Sequence, residues 1–507
     1  MPNSLSKRRV LQGSALNLSQ MVLSLAVSLV LPPFLVHHMQ PAEYSAWVLI
    51  LQLSAYVNYL ELGMQTAIGK FVAEFHAVGD TKSMAGVVGT AFSILATAAA
   101  LGLVAVGVIA WQVPRLFHQM PVNLVHEVRF GVLSVGSTTA ILLPFSVFVA
   151  IFIGLQRYVV PAVVQSVGRV LSALAVIVLL LMHGSILQMA MLISFLNILT
   201  AAVQYFCWHR YARVDVPFAY FSFQRRFASR LAEYCGVLSL WTIGVLFVSG
   251  LDTSIVGHFD YRNTGYYAVA GSATNFMLLI VGNMLGPLMP ALSSVQGSRS
   301  PAEMGVLLLR ITRYGTLLLC ALGLPLMLGS YPLLTLWLGH NYAVHSMAFL
   351  MVLVLGNVIR QLGYPYALMV VATGNQRLAT IAPVLEAVVN FTCSIWLARR
   401  MGAMGVAYGT VLGSCAGVLA HLVFSIRFTQ PAIRIRLPRL LLKGFGQPLL
   451  CIVPSLLLIP AWHAYQLVPM RVPLLMLWVV ATTLIAWSTG VNGVERQQVL
   501  TRMRRFL

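Results

Sequence analysis

Apolar and polar positions in this chain come in blocks. Mostly apolar stretches of about 20 residues or more alternate with short polar joints, and a run of that length crosses the hydrocarbon core of a bilayer as a helix. A helix satisfies its backbone polar groups internally, which an open sheet in lipid does not. The blocks predict fourteen spans. A first series lies at 11–36, 44–67, 84–111, 130–153, 159–182 and 186–208, and a second at 232–257, 266–289, 305–328, 346–372, 379–398 and 403–425. A last pair lies at 441–460 and 472–490. The expected fold is an all-α polytopic membrane protein.

The polar joints add an orientation. With Lys7, Arg8 and Arg9 on the cytoplasmic side, 22 of the 32 Lys and Arg fall on that side, six fall outside and four fall within spans. The cytoplasmic clusters are Arg210, Arg213, Arg225, Arg226 and Arg230, then Arg427, Arg434, Arg436, Arg439 and Lys443, then Arg496, Arg502, Arg504 and Arg505. This positive-inside bias predicts a bacterial inner-membrane protein with both termini cytoplasmic and a basic tail over 491–507. Composition agrees, because 59% apolar and 9% charged residues with a mean hydropathy of +0.86 exclude a soluble chain with one core. Topology and anionic phospholipids account for the net charge of +20. Nucleic acid is not expected as a partner, since no separate soluble domain joins the cations to stacking aromatics. The first segment resembles a signal peptide at its start, but it is too long, contains Pro32 and Pro33, and lacks a small-residue cleavage site.

A repeat divides the chain. GLQR at 154–157 returns as GNQR at 374–377, an offset of 220 that His38 and His258 share. Each tetrapeptide sits between the fourth and fifth spans of its half, after a Pro-bearing helix with Pro144 or Pro365. The expected organisation is a six-helix lobe at 1–210, a second at 225–425 and two further spans at 440–490. Six is even, so both lobes enter from the same side and are related by an axis along the membrane normal. Paired bundles of this kind enclose a cavity and expose it alternately. Gly282, Gly286, Pro287 and Pro290 are candidate flexible points, with ordinary membrane-helix packing as the competing reading.

Apart from Glu233 and Lys443 at span ends, seven Asp, Glu and Arg residues remain inside spans: Glu61, Arg169, Asp252, Arg310, Arg313, Arg360 and Glu386. At about 3 kcal/mol each in lipid, they are expected to face a wet cavity or one another. Arg310 and Arg313 lie three residues apart on one helix face and suit a phosphate-bearing substrate, while snorkelling to headgroups competes with that role. Arg169 and Arg360 lie deepest, as cavity lining or as ion pairs with Glu61 or Glu386. The acids Glu61, Asp252 and Glu386 are candidates for proton or sodium coupling, or for fixed counter-ions. Nine of the twelve histidines fall on or near the outer side without metal-ligand spacing, and the six cysteines are unpaired in sequence. Neither a metal site nor a cofactor is expected. With no long extramembrane loop and no Ser/His/Asp or Cys/His constellation, no catalytic residue is assigned and transport is favoured over a membrane glycan polymerase or ligase.

Three stretches carry a family resemblance: PAEYSAWVLILQLSAYVNYLELGMQTAIGKFVAEF at 41–75, LDTSIVGHFDYRNTGYYAVAGSATNFML at 251–278, and ATGNQRLATIAPVLEAVVNFTCSIWLARRMGAMGVAYGT at 372–410. Over about residues 10–425 the chain resembles polysaccharide repeat-unit flippases of the multidrug, oligosaccharidyl-lipid and polysaccharide exporter (MOP) superfamily. The resemblance implies two lobes around a cationic cavity that moves undecaprenyl-pyrophosphate-linked oligosaccharide from the cytoplasmic to the periplasmic leaflet. Arg169, Arg310, Arg313 and Arg360 would then meet the pyrophosphate or acidic sugars. Tyr56, Tyr59, Tyr266, Tyr267 and Tyr364 would be candidates to stack on sugar rings. Polysaccharide polymerase and export machinery would be partners. Fourteen spans also resemble the peptidoglycan lipid II flippase of the same superfamily, in which the added helices form a groove for the lipid tail. A multidrug cation antiporter is the remaining alternative, although four Arg against three acids suits it less.

Overall fold

The computed structural model describes residues 23–216, 222–286, 288, 292, 300–453, 468–490 and 497. Lys7 to Arg9, Pro287, Pro290, His463 and the basic tail apart from Gln497 lie outside them. Among the described residues every regular element is helical. Among the described residues, ten helices are long and apolar enough to cross a membrane, and two shorter apolar helices, Leu23–His38 and Met476–Ser488, overlap the expected first and last spans. The chain is a multi-pass membrane protein.

The second expected span shows why a count of unbroken helices falls short of fourteen. Helix α2 (Pro41–Ala55), which follows α1 (Leu23–His38), passes into a 3₁₀ turn over Tyr56–Glu61. Leu62 and Gly63 are then left-handed, with φ of 51° and 76°, before α3 (Met64–Ala77) resumes. A left-handed Leu costs about 1–2 kcal/mol. At Gly63 a side chain would also meet Leu238, whose Cβ lies 2.9 Å from the position of an added Cβ.

Two compact units are present, one of residues 1–246 with 250–265 and one of 247–249 with 266–507. In the first, α4 (Thr81–Leu116) is started by Asp80, whose carboxylate accepts the Ser83 amide at 3.0 Å. Next come α5 (Val122–Leu142), α6 (Ser146–Gly154), α7 (Val159–Leu181) and α8 (Ile186–Tyr211). Then α9 (Arg225–Val245) meets a π turn at Leu246–Gly250, and α10 (Asp252–Phe259) follows. Ile68, Phe148, Phe152, Trp208 and Leu231 are buried in one apolar cluster of this unit.

The second unit contains α11 (Thr264–Leu285) from Tyr266 onward, α12 (Pro301–Leu328), α13 (Ser330–Leu338), α14 (His340–Leu362) and α15 (Tyr364–Ala372). It continues with α16 (Ile381–Met401), α17 (Ala403–Ala420) and α18 (Val468–Gly490). Ser300 and Glu303 form a reciprocal cap at the start of α12.

The two stretches around the repeated tetrapeptide are alike in backbone. Both α6 and α15 are nine residues long, and they begin at Ser146 and Tyr364. Each ends in one left-handed residue, Gln156 (φ 58°) or Gly374 (φ 79°). The next amide bonds back five residues, Arg157 to Phe152 at 2.8 Å and Asn375 to Val370 at 3.1 Å. These equivalences are spaced by 218 residues, not by the 220 of the tetrapeptides. The helix-terminating turn recurs, and the letters GLQR and GNQR fall at different points of it.

Candidate functional site

Charge is buried in the second unit through a hairpin of α16 and α17. On α16, Glu386, Asn390 and Ser394 follow one another at intervals of four and so share one helix face. All three are buried, at 8%, 0% and 0% relative exposure. On α17, Gly405, Gly409, Gly413 and Gly417 repeat with the same interval. A Cβ on Gly413 would stand 2.6 Å from Asn390 Cβ, and one on Gly417 would stand 2.9 Å from Glu386 Oε2. Small residues therefore let the backbones approach until the polar side chains fill the space between them.

The polar groups in this space are mostly paired with one another, with Arg360 Nη2 buried and left without a hydrogen-bond partner. Arg360 on α14 donates from Nε to Glu386 Oε1 at 2.5 Å and from Nη1 to Asn357 Oδ1 at 2.6 Å. Ser414 donates to the same Glu386 oxygen at 3.4 Å. Ser394 donates to Asn390 Oδ1 at 2.8 Å, and the Asn390 amide donates to the Val248 carbonyl. In a low-dielectric interior these charge-assisted bonds are what make an Arg and a Glu tolerable. Sequence reasoning had isolated Arg360 and Glu386 and missed Asn357, Asn390, Ser394 and Ser414. The period-four glycines and the matching period-four polar file were the signal that finds Asn390 and Ser394, and Ser414 follows Gly413 in the glycine series. Asn357 is found by its place one turn before Arg360.

In the first unit, polar groups gather where helix is interrupted. Gln52 Nε2 donates to the Gly250 carbonyl at 2.7 Å, and the Tyr56 hydroxyl lies 2.6 Å from Ser254 Oγ. An added Cβ on Gly250 would stand 2.9 Å from the Tyr59 hydroxyl. Asp252 is 6% exposed at the first residue of α10, directly after the π turn. π turns of this kind leave carbonyls out of the regular helical ladder. Glu61 accepts the Gln65 amide at 3.2 Å, at the positive end of α3.

The other predicted residues are dispersed. Arg169 is exposed on α7 and donates to Ser24 Oγ. Arg313 is 7% exposed while Arg310, one turn earlier on α12, is exposed, so the two guanidiniums sit in different surroundings. Tyr266 and Tyr267 are buried at 6% and 3%. Their rings lie on protein, Tyr266 stacked on His345 at 4.7 Å and Tyr267 edge-on to Phe349 at 5.8 Å. Tyr364 is half-buried against an apolar cluster that includes Met369 and Val370. A cavity of about 570 Å³ against α4 is lined by Ser93, Ile94, Ala96, Thr97, Ala100 and Phe223, and it contains none of the predicted site residues. Arg157 of GLQR donates to the Tyr211 carbonyl at 2.6 Å and pairs with Asp215 at 2.9 Å, tying the turn to the end of α8. The Arg377 side chain lies outside the described residues. No cluster of His, Cys, Asp or Glu suited to a metal occurs among the described residues, and all six cysteines are free thiols.

No family model matches the sequence, and no curated protein matches it. Solved structures do. An inward-facing multidrug resistance MATE family transporter of the MOP superfamily matches with a TM-score of 0.68 at 13% identity, over 79% of this chain and 94% of that one. The lipid II flippase MurJ, in an inward closed conformation, matches with a TM-score of 0.67 at 14% identity, over 94% of this chain and 99% of that one. A MOP superfamily transporter from Pyrococcus furiosus matches with a TM-score of 0.56 at 14% identity, over 84% of this chain and 96% of that one. The fold is that of MOP superfamily transporters.

Proposed function

We propose that this protein is a flippase that moves undecaprenyl-pyrophosphate-linked oligosaccharide repeat units from the cytoplasmic to the periplasmic leaflet by alternating access. One observation carries the choice of a lipid-linked cargo over a drug cation. The match to the lipid II flippase extends over 94% of this chain, which requires it to continue past residue 440, whereas the MATE match covers 79%. The spans after residue 440 are in this reading a groove for the polyprenyl tail. The resemblance of residues 41–75, 251–278 and 372–410 to polysaccharide repeat-unit flippases supports a sugar repeat unit as the headgroup.

Arg169, Arg310, Arg313 and Arg360 supply the cationic contacts to pyrophosphate. Arg360 is already neutralised by Glu386, so an entering phosphate oxygen must compete with that carboxylate. Loading at Arg360 therefore releases Glu386, and the released carboxylate is the group through which a proton or sodium ion enters the cycle. Asp252 and Glu61 are further coupling or counter-ion groups. Tyr56 and Tyr59, beside the interrupted helix, are the tyrosines retained as sugar contacts. An inner-membrane location and cytoplasmic termini follow from the charge bias. A polysaccharide polymerase and export machinery would act on the delivered unit.

The test is lipid extraction from cells depleted of the protein, with mass spectrometry of undecaprenyl-linked intermediates and a leaflet-access assay. A complete oligosaccharide held on its carrier in the cytoplasmic leaflet is the expected result. Accumulated lipid II would move the assignment to peptidoglycan precursor, a truncated glycan would indicate an enzyme, and drug sensitivity without lipid accumulation would indicate a multidrug exporter.

A further inference from the structure

Residues 427–443 read RFTQPAIRIRLPRLLLK, and the whole stretch between Glu386 and Glu495 contains no acid. The structure gives this basic joint a definite form. After α17 and a π turn over His421–Ser425, Ile433 and Ile435 are buried at 0% and 6% in the apolar cluster around Met304 and Leu308 of α12, while Arg434 and Arg436 between and after them are exposed. The strand-like alternation is held by backbone. The Arg434 amide donates to the Pro301 carbonyl at 2.8 Å, and Gln430 Nε2 donates to the Ile435 carbonyl at 2.7 Å. Gly305 provides the crossing point, because a side chain there would run into the Arg434 carbonyl.

The segment then turns helical, with a π turn over Leu440–Gly446, and Arg436, Arg439 and Lys443 are all exposed. Leu440 and Gly444 are buried, and the Gly444 carbonyl accepts a hydrogen bond from Thr316 Oγ1 of α12 at 3.3 Å. Leu441 and Leu442 are 42% and 70% exposed beside the cations. Cations adjoining exposed leucines match one environment, the boundary where phosphate headgroups meet acyl chains. A soluble acidic partner would leave the leucines in water.

We propose that residues 433–443 form a rigid strap that binds anionic phospholipid headgroups, with Arg434, Arg436, Arg439 and Lys443 on phosphates and Leu441 and Leu442 in the acyl region. Burial of Ile433 and Ile435 fixes the backbone that carries the guanidiniums before lipid arrives, so binding orders the arginine side chains and not the strap itself. This role does not depend on the transported molecule.

The full-length protein is extracted from nanodiscs of phosphatidylcholine mixed with phosphatidylglycerol, and the retained lipids are quantified by mass spectrometry. The wild type is expected to retain phosphatidylglycerol preferentially, with the preference falling as salt is raised. The triple variant Arg434→Gln, Arg436→Gln, Arg439→Gln is expected to lose that preference about tenfold or more. The triple Lys variant is expected to retain part of it, because Lys keeps the charge without the planar fork. Equal retention of both lipids by the wild type, or unchanged preference in the Gln variant, would overturn the proposal. If the triple variant does not fold, Arg436→Gln alone and the wild-type salt dependence decide by the same criteria.

Discussion

Two helix hairpins hold the fifth and sixth places of the two halves that the sequence repeat suggests, and they treat charge differently. In α7–α8 the intramembrane cation Arg169 is exposed and bonded to the hydroxyl of Ser24. In α16–α17 the carboxylate of Glu386 is buried against a row of glycines and bonded to Arg360 and Ser414. The residues around the charge explain the difference. The most apolar stretches of α7 and α8 are 17% and 22% buried, and those of α16 and of Ala403–Phe428 are 33% and 50% buried. A charge on the open surface keeps its conformational freedom, whereas one inside a glycine-lined contact must be paired where it stands. The second hairpin is thus the ordered, polar end of the comparison and the first is the open end.

The largest expected effect comes from Glu386→Gln, which leaves the partly buried Arg360 without its counter-ion. We expect a loss of about 3–5 kcal/mol, read as a lower Tm in detergent, with much of it recovered in the double variant Arg360→Gln, Glu386→Gln. An unchanged Tm in the single variant would remove the pair from the structure's support. Next, Gly413→Leu forces a side chain into the space of Asn390 and should cost about 1–3 kcal/mol. Enlarging an exposed position of the open hairpin, Leu174→Phe, should change stability by less than about 0.5 kcal/mol. Equal costs at the two sites would abolish the contrast in packing.

Arg169→Gln sharpens the functional side of the comparison. Its expected effect on stability is below about 1 kcal/mol, while export of surface glycan at matched protein level is expected to fall sharply. Normal export would leave Arg169 a surface residue. The smallest effect concerns Asp80, at the start of α4 in the first unit. Hydrogen bonds from Ser83 hold its exposed carboxyl below the usual carboxylate range, aided by Arg226. A depressed folded value means that its contribution is present above the unfolded pKa of about 4 and is lost as pH falls through the lower folded value. Asp80→Asn should therefore lower Tm slightly at neutral pH and not at all in strong acid.

Much of the fold was legible because the bilayer imposes a local rule. Each crossing must supply about 20 apolar residues in its own sequence, and each cytoplasmic joint tends to carry its own cations. That is why Val159–Leu181, Ile186–Tyr211 and Pro301–Leu328 appear close to where the apolar blocks predicted them. The site was less legible. Arg310 and Arg313 looked like one clamp from their spacing, and their unequal burial depends on what packs against each side of α12. Tyr266 and Tyr267 looked available for sugar, and only their neighbours His345 and Phe349, about 80 residues away, show their rings covered by protein.

The sequence by itself determined the spans, their order, the charge bias of the joints and which residues would be costly in lipid. Those properties depend on composition within a window of one helix. Tertiary structure alone decided which costly residues meet: Arg360 with Glu386 across 26 residues, Asn390 with the Val248 carbonyl across 142, and Tyr56 with Ser254 across 198. Hydrogen bonds and ion pairs act over about 3 Å, so their partners are fixed by packing, and a single sequence carries no record of packing at that range.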